Sequence, residues 1–281
     1  MLVERLGYVI ETLHLHSFAF SVYQRAGALN IRTYLRNRAF REAPDGLAIP
    51  PAWMLMAVAG SAEAGVFLDG GRKAADSIRD ILRRNGTGME DLGAMLDFGC
   101  GCGRVLRFWK ELRQTEIHGT EYNAGLAQWC RNNIPFVHVG SNELMPPAGY
   151  PGATFDLIYA LSVFTHLPEH AQMAWMSEFF RILRPGGLLL LSLHGAHYLP
   201  RLNKAERRSF LDGHAVTRHS RSAGMNLCCA FHPEDWVRKN LAVDFEVVDF
   251  VPEGALGNPR QDLWRFRRKP GVLSRTYLPL H

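Results

Sequence analysis

The hydrophobic positions of this 281-residue chain change their period near residue 94. Before that point they recur at helical spacing. Leu2, Leu6, Val9, Ile10 and Leu13 fall on one stripe, and in RKAADSIRDILRRNG the residues Ala75, Ile78, Ile81 and Leu82 share a face that stops at Gly86. Pro44, Asp45, Gly46, Pro50 and Pro51 punctuate the stretch between them. From residue 94 short apolar runs alternate with helical patterns. AMLDFG, TEIHGTE, FVHVG, FDLIYAL and GLLLLSL have strand character, while RVLRFWKELR, AGLAQWCRNN and PEHAQMAWMSEFFRILR have helix character. Continuous apolar strands separated by helices indicate a parallel sheet covered on both faces. The remainder, HPEDWVRKN, DFEVVDFV and QDLWRFRR, predicts a helix and two strands, joined by a glycine-containing loop from Glu253 to Asn258 and paired antiparallel at the sheet edge. The expected fold is therefore α/β: a doubly wound, mostly parallel, seven-stranded sheet with an antiparallel edge strand. Residues 1–90 are expected to form an N-terminal helical cap, residues 91–281 the ligand-binding domain, and residues 197–230 an insertion over it.

Composition narrows the class without naming a function. Apolar residues at 47% and charged residues at 21% suit a globular protein, not a disordered or membrane one. YVIETLHLHSFAFSVY is broken by Glu11, His14 and His16, and GGLLLLSLHG falls well short of the roughly 20 residues that cross a bilayer. The first residues lack the pattern of a secretory signal, so a cytoplasmic protein without a membrane partner is expected. Five cysteines, Cys100, Cys102, Cys130, Cys228 and Cys229, offer neither a disulfide framework nor the paired spacing of a zinc site. No metal is expected. The net charge of +5 gathers at Arg32, Arg36, Arg38 and Arg41, at Arg201, Lys204, Arg207 and Arg208, and at Arg265, Arg267, Arg268 and Lys269. Such an excess permits an acidic substrate or nucleic acid, and solvated helix faces with a basic tail account for it equally well.

The sharpest chemical signal is LDFGCGCGRV, residues 96–105, with glycine at every second position after an acid. Glycine reaches positive φ without strain and lets a ligand approach the main chain. At the carboxyl end of a first parallel strand, this is where open α/β sheets bind ligands. A dinucleotide fingerprint, G-x-G-x-x-G, needs a third glycine where Arg104 stands. That residue packs strand against helix, and arginine is too large for the role.

Asp97-Phe98-Gly99-Cys100-Gly101-Cys102-Gly103 resembles motif I of the class I S-adenosylmethionine-dependent methyltransferases, D/E-x-G-x-G-x-G. FDLIYALSVFTHLPE and RILRPGGLLLLSL resemble that family's fourth strand with its loop and its next helix, turn and strand. The resemblance implies S-adenosyl-L-methionine as cofactor. It implies binding by Asp97, Phe98, Gly99, Cys100, Gly101, Gly103 and Arg104 at the turn, by Glu121 and Tyr122 after the second strand, and by Leu161 and Ser162 after the fourth. Glu121 stands where the family grips both ribose hydroxyls, a task for an anionic acceptor. Many members hold the adenine amino group with an aspartate; here Asn142 or Glu143 takes that place. In RPGG, Pro185 and Gly186 are expected to end the preceding helix.

A methyl transfer from a sulfonium asks the protein to align the acceptor, exclude water and manage a proton where the acceptor carries one. The Asn/Asp-Pro-Pro-Tyr motif of base and amide methylation is replaced by Tyr159-Ala160-Leu161-Ser162, and no cysteine follows a proline as cytosine-C5 chemistry requires. A small-molecule acceptor, methylated at O or N, is therefore expected, with or without an anionic group. The alternatives are an RNA-modifying methyltransferase and a methyltransferase-fold enzyme that uses the cofactor differently. Of twelve histidines, His166 and His194 fall just past strand ends on the ligand edge, and are the candidate general bases. Tyr198, His214, Arg218, His219 and Arg221 lie in the insertion, as candidates to meet an anionic group or as solvated loop residues.

Overall fold

The computed structural model describes residues 31–40, 43–257 and 260–271. The stripe at Leu2 to Leu13, and His14 and His16, lie outside the described residues. The chain divides into two compact units, Met1–Asp69 and Gly70–His281. In the first, α1 (Ile31–Asn37) and α2 (Ala52–Ala59) are described, and Gly60, at φ 65°, ends α2. Asn37 braces this unit by accepting from the Ala64 N–H at 2.9 Å and donating to the Ala62 carbonyl at 2.8 Å.

The unit boundary falls within α3 (Ala64–Arg83). Its stop follows the expected logic: Gly86 adopts φ 73°, and the N–H groups of Asn85 and Thr87 both return to the Leu82 carbonyl. Ala75, Ile78, Ile81 and Leu82, the anticipated face, are buried.

The second unit is built on a sheet of β1 (Ala94–Phe98), β2 (Glu116–Glu121), β3 (His138–Ser141), β4 (Phe155–Ala160), β5 (Leu183–Leu193), β8 (Phe245–Ala255) and β9 (Gln261–Arg268), in the order β3-β2-β1-β4-β5-β9-β8. All neighbours pair parallel except those of β9, which runs antiparallel to both β5 and β8. The sheet is the expected seven-stranded one, its antiparallel strand next to the edge. Because side chains alternate along a strand, Ile158 and Ala160 of β4 enter one core with Trp175, Phe179, Leu189 and Trp264, while Leu157 and Tyr159 enter the other with Ile78, Met95, Trp109 and Leu190. This two-sided burial explains why the LLLL run lacks polar alternation. Each fully buried leucine contributes roughly 1.5–3 kcal/mol.

Two local expectations are corrected. RVLRFWKELR is a short 3-10 helix, Leu106–Trp109, flanked by turns. It lies in close contact with α3: a Cβ on Gly71 would come within 2.1 Å of the Arg104 carbonyl and 2.8 Å of the Phe108 ring. After α4 (Ala124–Asn133), the helix α5 (Glu169–Ile182) ends at Leu183 in extended conformation, so Pro185 and Gly186 lie beyond its cap. Gly186, at φ 79°, instead turns the chain inside the irregular start of β5.

The insertion carries α6 (Lys204–Leu211), capped at Asn203 by a reciprocal bond with Glu206, and a two-stranded ribbon of β6 (Val216–Arg218) and β7 (Cys229–Phe231). The third basic cluster is not a tail. It is β9, where Arg265 is 1% exposed and donates to Thr87 Oγ1 at 3.1 Å.

Candidate active site

The glycine turn leaves β1 with three left-handed residues in alternation: Gly99 at φ 75°, Gly101 at φ 58° and Gly103 at φ 78°. A Cβ on Gly99 would meet Val163 at 2.5 Å, and one on Gly103 would meet Ile134 at 2.1 Å. The chain thus needs glycine there for backbone conformation and for space alike. The N–H groups of Gly99 and Cys100 both donate to the Thr120 carbonyl of β2.

Glu121 closes this turn from the neighbouring strand. Its Oε2 accepts from the Gly101 N–H and its Oε1 from the Asn123 N–H, both at 2.8 Å. Burial pushes its pKa up, against the backbone donors that pull it down. A carboxylate has about four acceptor sites, so two hydroxyls of a ligand can join the two backbone donors. Beside it, the Asn142 N–H reaches the Glu121 carbonyl at 3.4 Å, and Asn142 Nδ2 donates to the Glu143 carbonyl. Asn142 Oδ1 is buried without a partner. An orphaned acceptor costs about 1–3 kcal/mol unless a donor arrives, and the adenine amino group is such a donor. Glycine turn, Glu121 and Asn142 stand at the carboxyl ends of three adjacent parallel strands, in the order in which methionine moiety, ribose and adenine would follow. The residues present fit S-adenosylmethionine.

Other residues anticipated here serve from behind. Asp97 is 4% exposed; burial raises its pKa to about 7, opposed by a hydrogen bond from Tyr159 and the charge of Arg104. The Tyr159 hydroxyl in turn accepts from Trp109 Nε1 at 2.8 Å, so indole, phenol and carboxyl form a chain beneath the turn. Phe98 turns into the opposite core, 4.4 Å from Trp175, leaving only its backbone at the turn. Arg104 is buried and donates to the Gly257 carbonyl at 3.1 Å. Cys100 is a protonated thiol, held well above its usual pKa by the Cys130 thiol and then by burial. All five cysteines are free.

The edge expected to receive the acceptor lies at the ends of β4 and β5. Leu161 is partly buried, and Ser162 adopts φ 61°, a strained conformation for a residue with a Cβ. His166 and His194 are brought to the same edge. Both rings use Nδ1 on carbonyls of the insertion: His166 on Cys228 at 2.7 Å and His194 on Ala230 at 3.1 Å. A carbonyl only accepts, so each Nδ1 carries the proton and each Nε2 presents a lone pair. Burial lowers the pKa of His166, and burial with the neighbouring His166 lowers that of His194 to about 3; both rings are neutral. The insertion also bonds the main chain of this loop, Gly224 N–H to His166 carbonyl at 2.8 Å, and Gly224 lies against the side chains of Tyr122 and Leu144. Tyr122 is 45% exposed at this rim.

Of the insertion residues offered for an anion, Arg218 is engaged: it pairs with Glu206 and donates to the Arg201 carbonyl. Arg201 lies over the Tyr198 ring at 4.9 Å, and that ring packs tilted against His194, with centroids 4.1 Å apart. Two residues had no signal in the sequence. Gln172 donates to the carbonyls of Phe164 and Leu167, on either side of His166, and Gln261 joins Ser162, Ser192 and His194. A lone glutamine in a helix or strand announces nothing by its pattern.

Comparison with known proteins agrees with this geometry. A family model described as a methyltransferase domain matches residues 71–249. The chain is 32% identical over 131 residues to a trans-aconitate 2-methyltransferase of Azoarcus sp. BH72, covering 45% of this chain and 47% of that one. It is 27% identical over 153 residues to a malonyl-[acyl-carrier protein] O-methyltransferase of Salmonella typhimurium, covering 51% and 57%. The chain thus spans about half the length of the curated relatives it matches. Among solved structures, an S-adenosylmethionine-dependent methyltransferase from Mesorhizobium loti shares the fold at a TM-score of 0.53 and 17% identity, over 69% of this chain and 100% of that one. A Pyrococcus horikoshii protein does so at 0.52 and 17%, over 70% and 91%. With the glycine turn, the Glu121 carboxylate, the strand order and a family match over residues 71–249 in agreement, the chain belongs to the class I S-adenosylmethionine-dependent methyltransferases.

Proposed function

We propose that this protein transfers the methyl group of S-adenosylmethionine to an oxygen of a small molecule, within the cytoplasm. The observation that carries the choice of oxygen is the state of His166: neutral, its Nδ1–H held by the Cys228 carbonyl, its Nε2 left with a lone pair and no donor among the described residues. That is the form in which an imidazole takes a proton from a hydroxyl as the methyl group arrives. The cofactor supplies an electrophilic methyl on a good leaving group. Gly99, Cys100, Gly101, Gly103 and Glu121 hold it, Asp97 braces the turn from beneath, Asn142 serves the adenine in preference to Glu143, and Leu161 and Ser162 border the reacting end. His194 is the weaker base, since its Nε2 already meets Gln261.

A carboxyl acceptor is the second reading. It is favoured by the relatives, since aconitate is a tricarboxylate and a malonyl group ends in a carboxylate. Such an oxygen arrives ionised and needs no base. The burial of Arg265 within β9 and the pairing of Arg267 with Glu246 take two cations out of any continuous basic stripe, which disfavours RNA as substrate. Residues 1–90 and 197–230 are proposed as the cap that selects the acceptor. The test is incubation with methyl-labelled cofactor and a panel of hydroxyl, carboxyl and amine compounds, read by mass spectrometry. Labelled ethers or esters support the reading; labelled amines alone overturn it.

A further inference from the structure

Gln261 opens β9 and is 1% exposed at the carboxyl edge of β5, far along the chain from the residues it touches. Its Oε1 accepts from the Ser192 hydroxyl at 2.7 Å, and its Nε2 donates to Ser162 Oγ at 2.9 Å. The same nitrogen stands 3.3 Å from His194 Nε2. The sense of this last bond follows from the other side of the ring. Since Nδ1 gives its proton to the Ala230 carbonyl, Nε2 offers a lone pair, and the amide N–H is the donor. Turning the amide over would set its oxygen against that lone pair.

The serines complete the relay. Ser192 Oγ accepts from the Ser162 N–H at 2.7 Å, so its own proton goes to Gln261. The amide thereby fastens β4, β5 and β9 at one point, directly behind the strained Ser162 turn. His166 has no counterpart to this: its Nε2 meets no donor among the described residues.

We propose that Gln261 is a positioning residue of the transfer site. By donating to His194 it removes that lone pair from proton transfer, leaving His166 as the imidazole that works, and by bridging Ser192 and Ser162 it holds the turn that borders the acceptor. The proposal rests on the assignment of His166 as base, yet its test is separate from acceptor chemistry. The titratable and charged groups around His194 are His166, His232, Tyr198 and Arg201, with the Asp262 carboxyl against the adjoining Gly195. Burial raises the pKa of Asp262, and its side chain accepts from the Glu253 N–H.

The experiment is long-range nitrogen–proton NMR of the histidine rings in the full chain with S-adenosylhomocysteine, for wild type, Gln261→Leu and Gln261→Glu. In wild type His194 is expected as the Nδ1–H tautomer with a hydrogen-bonded Nε2 and no titration between about pH 5 and 9. In Gln261→Leu the Nε2 resonance should move toward that of a free lone pair. In Gln261→Glu the new carboxylate favours imidazolium, and His194 should titrate within the window. Amide-proton dispersion reports whether each variant folds; if the glutamate variant does not, wild type and the leucine variant decide. An Nε2–H tautomer or titration of His194 in wild type overturns the proposal, as does the same Nε2 resonance in wild type and Gln261→Leu. Normal turnover of His166→Ala with these spectra intact would instead overturn the base assignment alone.

Discussion

The Gly101 N–H and the Glu121 carboxylate meet at 2.8 Å, although the two residues leave different strands. The bond sets the turn and the acid proposed to bind the ribose in one frame. Gly101 also sits at φ 58°, where a β-branched residue is strained. Glu121→Ala and Gly101→Val should each weaken S-adenosylhomocysteine binding by about tenfold or more, since charge-assisted hydrogen bonds contribute roughly 1.5–3 kcal/mol each. Calorimetry on variants with native circular dichroism checks this, and unchanged affinity in both would remove these residues from the cofactor site.

Asn142 should select the base. With Oδ1 buried and unpartnered, the wild-type protein is expected to prefer the adenine cofactor product over its hypoxanthine analogue, which has lost the amino donor. Asn142→Ala should lower affinity for the first by about five- to tenfold, for a net hydrogen bond of about 1 kcal/mol or a little more, and should narrow the gap between the two. Equal discrimination in wild type and variant would move the adenine contact to another residue.

Asp97 gives the fold a pH dependence. Its folded pKa of about 7 lies above the roughly 3.9 of an unfolded aspartate, so the folded state binds the extra proton between those values. Stability should therefore decline as pH rises from about 4 to about 7, then level off. Thermal melts of Asp97→Asn should lack this part of the slope. A wild-type melting temperature that rises across the same window and is matched by the variant would contradict the raised pKa.

His166→Ala should reduce kcat by roughly 10²- to 10⁴-fold on a hydroxyl acceptor with cofactor affinity nearly intact. Burial lowers the pKa of this ring, so wild-type kcat should fall only at pH below the ordinary histidine range and stay level above it. On a carboxyl acceptor the loss should be small. Near-normal turnover on the hydroxyl acceptor would leave alignment as the whole of the catalysis.

The glycine turn could be found from sequence because backbone conformation there depends on residue type: only glycine fits three left-handed positions among close neighbours such as Val163 and Ile134. The strands of the sheet were legible for a similar reason, since burial on both faces leaves an unbroken apolar run at Leu188–Leu191. RVLRFWKELR misled because its period suits a helix, and period carries no record of the close packing of Gly71 on the Arg104 carbonyl, made by residues remote in sequence. Gln261 and Gln172 were invisible on the same ground. Their roles arise from where the sheet and α5 carry them, and an amide looks the same in a loop as in a site.

The placement of β9 between β5 and β8 imposes an order on assembly. Strand β8 precedes β9 in the chain yet can join the sheet only through it. The two strands pair along most of their length, from Phe245↔Arg268 to Ala255↔Gln261, so their mutual contacts are local and quick to form. The hairpin is thus expected to dock on the β5 edge as one piece, and to leave as one piece. Amides of β8 and β9 should then exchange with solvent as a block, and each opening would carry Gln261 away from Ser162 and His194. The transfer site would come apart by this route while the glycine turn and Glu121, on the far strands, still held their cofactor.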